Sequence, residues 1–203
     1  MARLTRAEKK AETRSCLLEA AGKVFARRGM QQASIDEVAE HAGYTKGAFY
    51  ANFKSKEELF LAMLDDRFTK HLEELDRVLA SDAELEDQAR AGAASFIRLA
   101  DPEWERLYLE FSAYASRNEK FRQELVTRRR YLQERLAELY RRRADQLGFK
   151  PPMPVEDLAR MTFAMADGIA LQKLLDPGSV PDDLYPTMLA TFFAGVREAV
   201  EQE

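Results

Sequence analysis

The sequence predicts an all-α protein of about nine helices, with an N-terminal three-helix unit over residues 1–54 and a C-terminal helical bundle over 55–203. Apolar residues recur at three- and four-residue spacing, and past Leu59 there is neither a hairpin signal nor the apolar-polar alternation of a half-buried strand. Ser-x-x-Glu capping boxes open segments, and glycines or prolines close them. At 203 residues the chain can bury one good core, or a small domain sharing its core with a larger one.

The first helix is expected from about Arg6 to Arg28. Leu17, Ala21, Val24 and Phe25 make its core stripe, Arg27 and Arg28 suit its negative end, and Gly29 stops it. The N-terminal part, with Arg3, Arg6, Lys9 and Lys10, forms either an arm that touches phosphates or minor groove, or a solvated tail. Cys16 has no second cysteine to pair with, so it reads as a packed thiol rather than a redox sensor.

The next segment is the most specific in the chain. Ser34 and Glu37 form a capping box, and Ile35, Val38, Ala39 and Ala42 share one face of a short helix. Gly43 ends it and Thr45 caps the next, so the break forces two helices to cross steeply, as in a helix-turn-helix. From about Thr45 to Ala51, Lys46 supplies a cation, Gly47 lets a ligand approach the backbone, and Tyr50 carries a hydroxyl. Phe49 and Phe53 read instead as pins that hold the helix to its neighbours. Ser55 and Glu58 repeat the capping box, bracketed by Lys54 and Lys56 at a helix N-terminus suited to phosphate.

The whole-chain net charge of -4 conceals an asymmetry. Residues 1–54 hold ten basic against six acidic side chains, a net of +4, which leaves -8 for the remainder. A basic N-terminal unit beside an acidic partner domain points to a nucleic-acid partner.

The segment from about Thr5 to Leu64 resembles the N-terminal domain of the TetR (tetracycline-repressor-like) family of transcription regulators. The resemblance rests on the run Ile35-x-x-Val38-Ala39-x-x-Ala42-Gly43-Tyr44-Thr45-Lys46-Gly47-x-Phe49-Tyr50-x-x-Phe53-x-Ser55-Lys56-x-x-Leu59. The polar aromatic usual before the second phenylalanine is here Asn52, which puts that residue's phosphate contact in doubt. The resemblance implies that Ser34, Tyr44, Thr45, Lys46, Gly47, Tyr50, Asn52, Lys54 and Lys56 contact double-stranded DNA. It also implies a repressor released from a palindromic operator by a small-molecule ligand. A regulator without a physiological ligand, a helical scaffold that binds only protein, and an all-helical enzyme are the competing readings.

The remaining helices follow from their stops. One is expected from Ser55 to about Leu79, another to about Ala100, and a third opens at Asp101-Pro102-Glu103 with proline at its first position. A long helix from about Asn118 ends near Gly148, before Pro151-Pro152-Met153-Pro154. The last two, from about Val155 to Leu175 and Asp183 to Val200, are unusually apolar, which calls for a second subunit to cover them. The homodimer seam is assigned to Met161, Met165, Leu189, Phe193, Val196 and Val200, in the manner the family implies; burial within a monomer core is the alternative. Arg128-Arg129-Arg130 and Arg141-Arg142-Arg143 read as a solvated, salt-bridged surface.

For the effector, Trp104, Tyr108 and Phe111 share a face, Tyr114 adjoins it, and Phe96 and Phe163 complete a mostly apolar or aromatic pocket. Asp167, the carboxylate in an apolar run, would pair with a cationic or hydroxylated ligand. Aromatics at helical spacing also make ordinary cores, and Asp167 beside Gly168 also fits helix packing. Only His41 and His71 are available as imidazoles, and no HExxH, paired cysteines, Walker loop or Rossmann glycines appear, so no catalytic residue, metal or cofactor is expected. The longest apolar candidate, Met161 to Leu171, is short and broken by Asp167, so no membrane span is expected and the location is expected to be cytoplasmic.

Overall fold

A helix must find partners for the amides of its first turn, and this chain supplies them from side chains. In the computed structural model, which describes residues 5–81, 83–99, 102–148 and 150–201, helices follow one another with no strand among the described residues. They are α1 (Arg6–Arg28), α2 (Ile35–His41), α3 (Lys46–Tyr50), α4 (Lys56–Leu79), α5 (Leu85–Leu99), α6 (Pro102–Ser116), α7 (Glu119–Leu147), α8 (Val155–Leu175) and α9 (Leu184–Glu201). Arg3, Asp101 and the side chains of Phe96 and Val200 lie outside the described residues.

The caps are mostly those expected. Ser34 and Glu37 make a complete capping box on α2, and Thr45 Oγ1 accepts from the Ala48 amide at 3.3 Å. Thr5 and Glu8 make a further box on α1. At α4 the Glu58 amide donates to Ser55 Oγ at 3.2 Å, but the Glu58 carboxylate accepts from the Lys54 amide at 2.8 Å rather than from that of Ser55. Gly29, Gly43 and Gly148 take φ of 73°, 74° and 71° at the ends of α1, α2 and α7, a conformation that carries a steric penalty for any side chain. Pro102 opens α6 and Pro186 falls in the first turn of α9, where their missing N–H groups leave no gap. Cys16 is half-buried and unpaired.

The chain divides into two compact units, Met1–Asp66 with Arg106–Leu125, and Arg67–Glu105 with Val126–Glu203. In the first, Leu17, Val24, Phe25, Phe49, Phe53, Leu59, Phe60 and Phe111 are buried together with Val38 and Ala39. Phe60 of α4 and Phe111 of α6 stack with ring centroids 4.1 Å apart. Tyr114 packs beside Phe111, and its hydroxyl donates to Glu57 Oε1 at 3.5 Å.

In the second unit, α5, α8 and α9 bury Ala93, Ala166, Ile169, Tyr185, Leu189 and Phe193, and Leu136, Leu158, Ala159 and Val196 form a neighbouring cluster. The sequence assigned Leu189, Phe193 and Val196 to a subunit seam. They are instead inside their own unit, because the apolar stripe of α9 turns toward α5 and α8. Met161 is exposed and Met165 half-buried. No described helix is long and apolar enough to cross a membrane.

Because Phe111 is fully buried against Phe60, Phe111→Ala is expected to lower stability by about 3–5 kcal/mol in urea titration. A loss below about 1 kcal/mol would contradict its place in the core.

Candidate nucleic-acid interface and effector cavity

The helix-turn-helix is built from an inner and an outer side. On the inner side Phe49 and Phe53 are buried, with ring centroids 5.8 Å apart. Between α2 and α3 the Tyr44 amide donates to the Ala39 carbonyl at 2.8 Å, and the positive φ of Gly43 makes that return possible. On the outer side Ser34, Thr45, Lys46, Gly47, Tyr50 and Lys54 are exposed, whereas Tyr44 is half-buried. Tyr50 has 51% of its surface open, although its ring edge meets Phe49. Gly47 has an ordinary backbone, and a Cβ there would meet only Thr45 Oγ1 at 3.6 Å. Nothing among the described residues therefore requires glycine at that position.

The side-chain nitrogens of Lys46, Asn52 and Lys56 are engaged within the protein. Lys46 Nζ donates to Asp36 Oδ2 of α2 at 2.8 Å, and that hydrogen bond raises its pKa. Both groups are exposed, so the pair exchanges readily with an outside anion. Asn52 Nδ2 donates to the Ala48 carbonyl at 2.9 Å, and its Oδ1 is buried. This amide is turned into its own helix. Lys56 Nζ donates to the carbonyls of Gln31 and Ala33 at 2.7 and 3.1 Å, so it fastens the α1–α2 connection.

Glu110, which the sequence reading missed, fastens the same connection from α6. Its carboxylate accepts from the amides of Met30 and Gln31 at 3.3 and 3.2 Å. Nothing local in the sequence marks a lone glutamate for that task.

The description "Bacterial regulatory proteins, tetR family" belongs to a family model that matches residues 17–63, and "BetI-type transcriptional repressor, C-terminal" to one that matches residues 94–198. The second spans just over half of the chain. The chain belongs to the TetR family. It is 30% identical over 168 residues to the HTH-type transcriptional regulator YfiR of Bacillus subtilis, covering 80% of each chain. In fold it is similar to a TetR-family transcriptional regulator from Rhodococcus sp., with a TM-score of 0.76 at 20% identity over 92% of this chain and 98% of that one. It is also similar to the regulator FadR from Bacillus subtilis in complex with stearoyl-CoA, with a TM-score of 0.73 at 18% identity over 87% and 95% of the two chains. As a TetR-family member it is a DNA-binding transcriptional regulator, not an enzyme.

This TetR-family chain has a cavity of about 70 Å³ wholly within its second unit. Its wall is formed by apolar side chains such as Leu75, Leu136, Leu158 and Phe193, with His71, Gln88, Tyr140, Arg143 and Thr162 among them. Of the pocket residues expected from sequence, Phe163 lines it. Phe111 and Tyr114 belong to the core of the first unit, Tyr108 is half-buried on α6, and Trp104 lies under the Arg67 guanidinium at 4.6 Å. Asp167 is exposed and bonded to Arg129, so it does not face the cavity. Its apolar neighbours misled because α8 is apolar on more than one face: Thr162, Ala166 and Ile169 turn inward while Asp167 and Gly168 turn out.

The polar part of the wall is uncharged apart from Arg143. Tyr140 and Thr162 hydroxyls bond to each other at 3.0 Å, Thr162 also donates to the Leu158 carbonyl, and burial pushes the Tyr140 phenol up. Burial lowers the His71 pKa to about 4, partly opposed by Glu74, so the imidazole is neutral at pH 7. The unfolded chain then binds the proton more readily, so this contribution is complete above the ordinary histidine pKa and is lost as pH falls toward 4. Between pH 7 and 5 the loss amounts to about 2 kcal/mol. His71→Gln is expected to show a shallower fall in melting temperature over that range, and an unchanged profile would remove His71 as its source.

Proposed function

We propose that this TetR-family regulator is a cytoplasmic homodimeric repressor that holds an approximately palindromic operator and releases it when a small molecule fills the cavity of the second unit. The observation that carries the DNA-contact assignment is the outer side of α3. Thr45, Lys46, Gly47 and Tyr50 present two hydroxyls, a cation and a bare backbone there, while Phe49 and Phe53 hold the opposite side. Such a helix reads a major groove, and Lys46 exchanges Asp36 for a phosphate. Thr45, Gly47 and Tyr50 approach base edges and backbone; Ser34, Tyr44 and Lys54 flank them. Asn52 and Lys56 then act on the protein side, setting the geometry of the others.

Dimerisation rests on a different set of residues from the one the sequence suggested. Met161, Ala164, Gly168, Leu171 and Leu175 are exposed on α8 at alternating three- and four-residue spacing, the pattern of a helix seam. A Cβ at Gly168 or at Gly195 of α9 would have nothing within 4 Å. Two copies of α8 and α9 related by a two-fold would cover this strip and place two α3 helices on successive half-sites.

The effector reading rests on the cavity. FadR, a fold neighbour, was solved with stearoyl-CoA, but about 70 Å³ leaves no room here for a ligand of that size. A molecule that needs the walls to part would favour a different conformation, and release of DNA requires that preference. His71, Leu75 and Leu79 of α4 stand in the wall, and the same helix begins at Lys56, so α4 is the element through which a wider cavity would act.

Fluorescence anisotropy on DNA flanking the coding sequence tests the DNA contacts. Tyr50→Ala and Lys46→Ala are expected to weaken binding about tenfold each, and Lys46→Ala to reduce the salt slope by about one; unchanged affinity in both would sink the assignment. Leu171→Glu is expected to sediment as a folded monomer, and a variant that still sediments as a dimer would refute the α8 strip.

A further inference from the structure

Gln88 and Arg143 of the cavity wall each keep a buried polar atom that the described residues leave without a hydrogen bond. Gln88 is 1% exposed, and its amide nitrogen donates to the Ser81 carbonyl at 2.7 Å. A carbonyl oxygen only accepts, so that bond fixes which end of the amide is nitrogen. Gln88 Oε1 is left as a buried acceptor with no hydrogen-bond partner among the described residues. Arg143 is anchored in the same manner, Nη2 to the Ala83 carbonyl at 3.0 Å, and its Nε–H is a buried donor with no hydrogen-bond partner among the described residues. Both residues line the cavity. Their anchors, Ser81 and Ala83, lie two residues apart in the α4–α5 connection.

A folded protein rarely leaves such groups unmade, and here both belong to side chains that line a mostly apolar cavity. Apart from the His71 imidazole and the Tyr140 and Thr162 hydroxyls, which bond to each other, the remaining wall is mostly hydrocarbon and aromatic, and no described lining residue is a carboxylate. We propose that the cavity binds a compact, uncharged, largely hydrocarbon molecule whose single polar head both donates and accepts a hydrogen bond, an alcohol, phenol or primary amide, with the head at Gln88 and Arg143. This deepens the effector reading and rests on it. A quaternary ammonium brings no donor and finds no carboxylate. A carboxylate would set its oxygens against Gln88 Oε1, and a bare hydrocarbon leaves both protein atoms unmade.

Calorimetry on the full chain with phenol, toluene, tetramethylammonium and benzoate tests this. Phenol is expected to bind about tenfold more tightly than toluene, with the two ions weaker still. In Gln88→Leu and in Arg143→Met the phenol-to-toluene ratio should fall several-fold toward one, a ratio that a general change in stability leaves alone. Equal binding of phenol and toluene, tighter binding of either ion, no binding by any probe, or a ratio unmoved in both variants would overturn the proposal. Anisotropy on operator DNA with and without phenol separates the two readings: selective binding without release overturns the effector role alone, whereas release without head selectivity overturns the head assignment alone.

Discussion

The outer side of α3 depends on the burial of Phe49. Helix α3 has five residues, Lys46–Tyr50, too few to repay the nucleation of a helix in water. Its persistence comes from the Thr45 cap at one end and from Phe49 and Phe53, which are closed off from solvent. That anchor also fixes rotation: once Phe49 points inward, Lys46, Gly47 and Tyr50 must point outward. Lys46, Gly47 and Tyr50 are spared the task of anchoring the helix, which leaves their chemistry free for the proposed DNA contacts.

A second set of contacts holds the entrance to this unit. Lys56 and Glu110 grip opposite polar groups of the α1–α2 connection, a cation on the carbonyls of Gln31 and Ala33 and a carboxylate on the amides of Met30 and Gln31. The connection would otherwise present backbone groups without partners. Because α4 and α6 carry these two side chains, the start of α2 is set by elements outside the helix-turn-helix. The Ser34 capping box then continues a geometry already imposed on it.

How much of this was legible in sequence follows from the range of each signal. Caps, glycine stops and the three-four period act within one turn, so Ser34, Gly43, Thr45 and the pins Phe49 and Phe53 were readable, and the helices fall close to where they were expected. Pairings between distant residues left no such trace. The Asp167–Arg129 pair and the task of Lys56 depend on tertiary placement, and a lysine beside a helix start looks the same whether it meets phosphate or a carbonyl. In α8 and α9 the stripe was visible but not its direction, since an apolar helix has no polar face from which to infer the other. The arginine triplet shows the same limit: Arg141 and Arg142 bond to Glu156 and Asp76 on other helices, while Arg143 turns to Ala83 and the cavity.

Gly29 leaves α1 with a positive φ, and a Cβ there would lie 3.0 Å from the Glu110 carboxylate. The site that ends the first helix and the site that fastens the following connection are therefore one unit of change, though far apart in sequence. A side chain at position 29 meets both backbone strain and the carboxylate, while a shorter residue at position 110 opens the space but abandons two amides. A change at either position is therefore felt at the other, because a side chain at position 29 would press on the carboxylate that holds the amides of Met30 and Gln31.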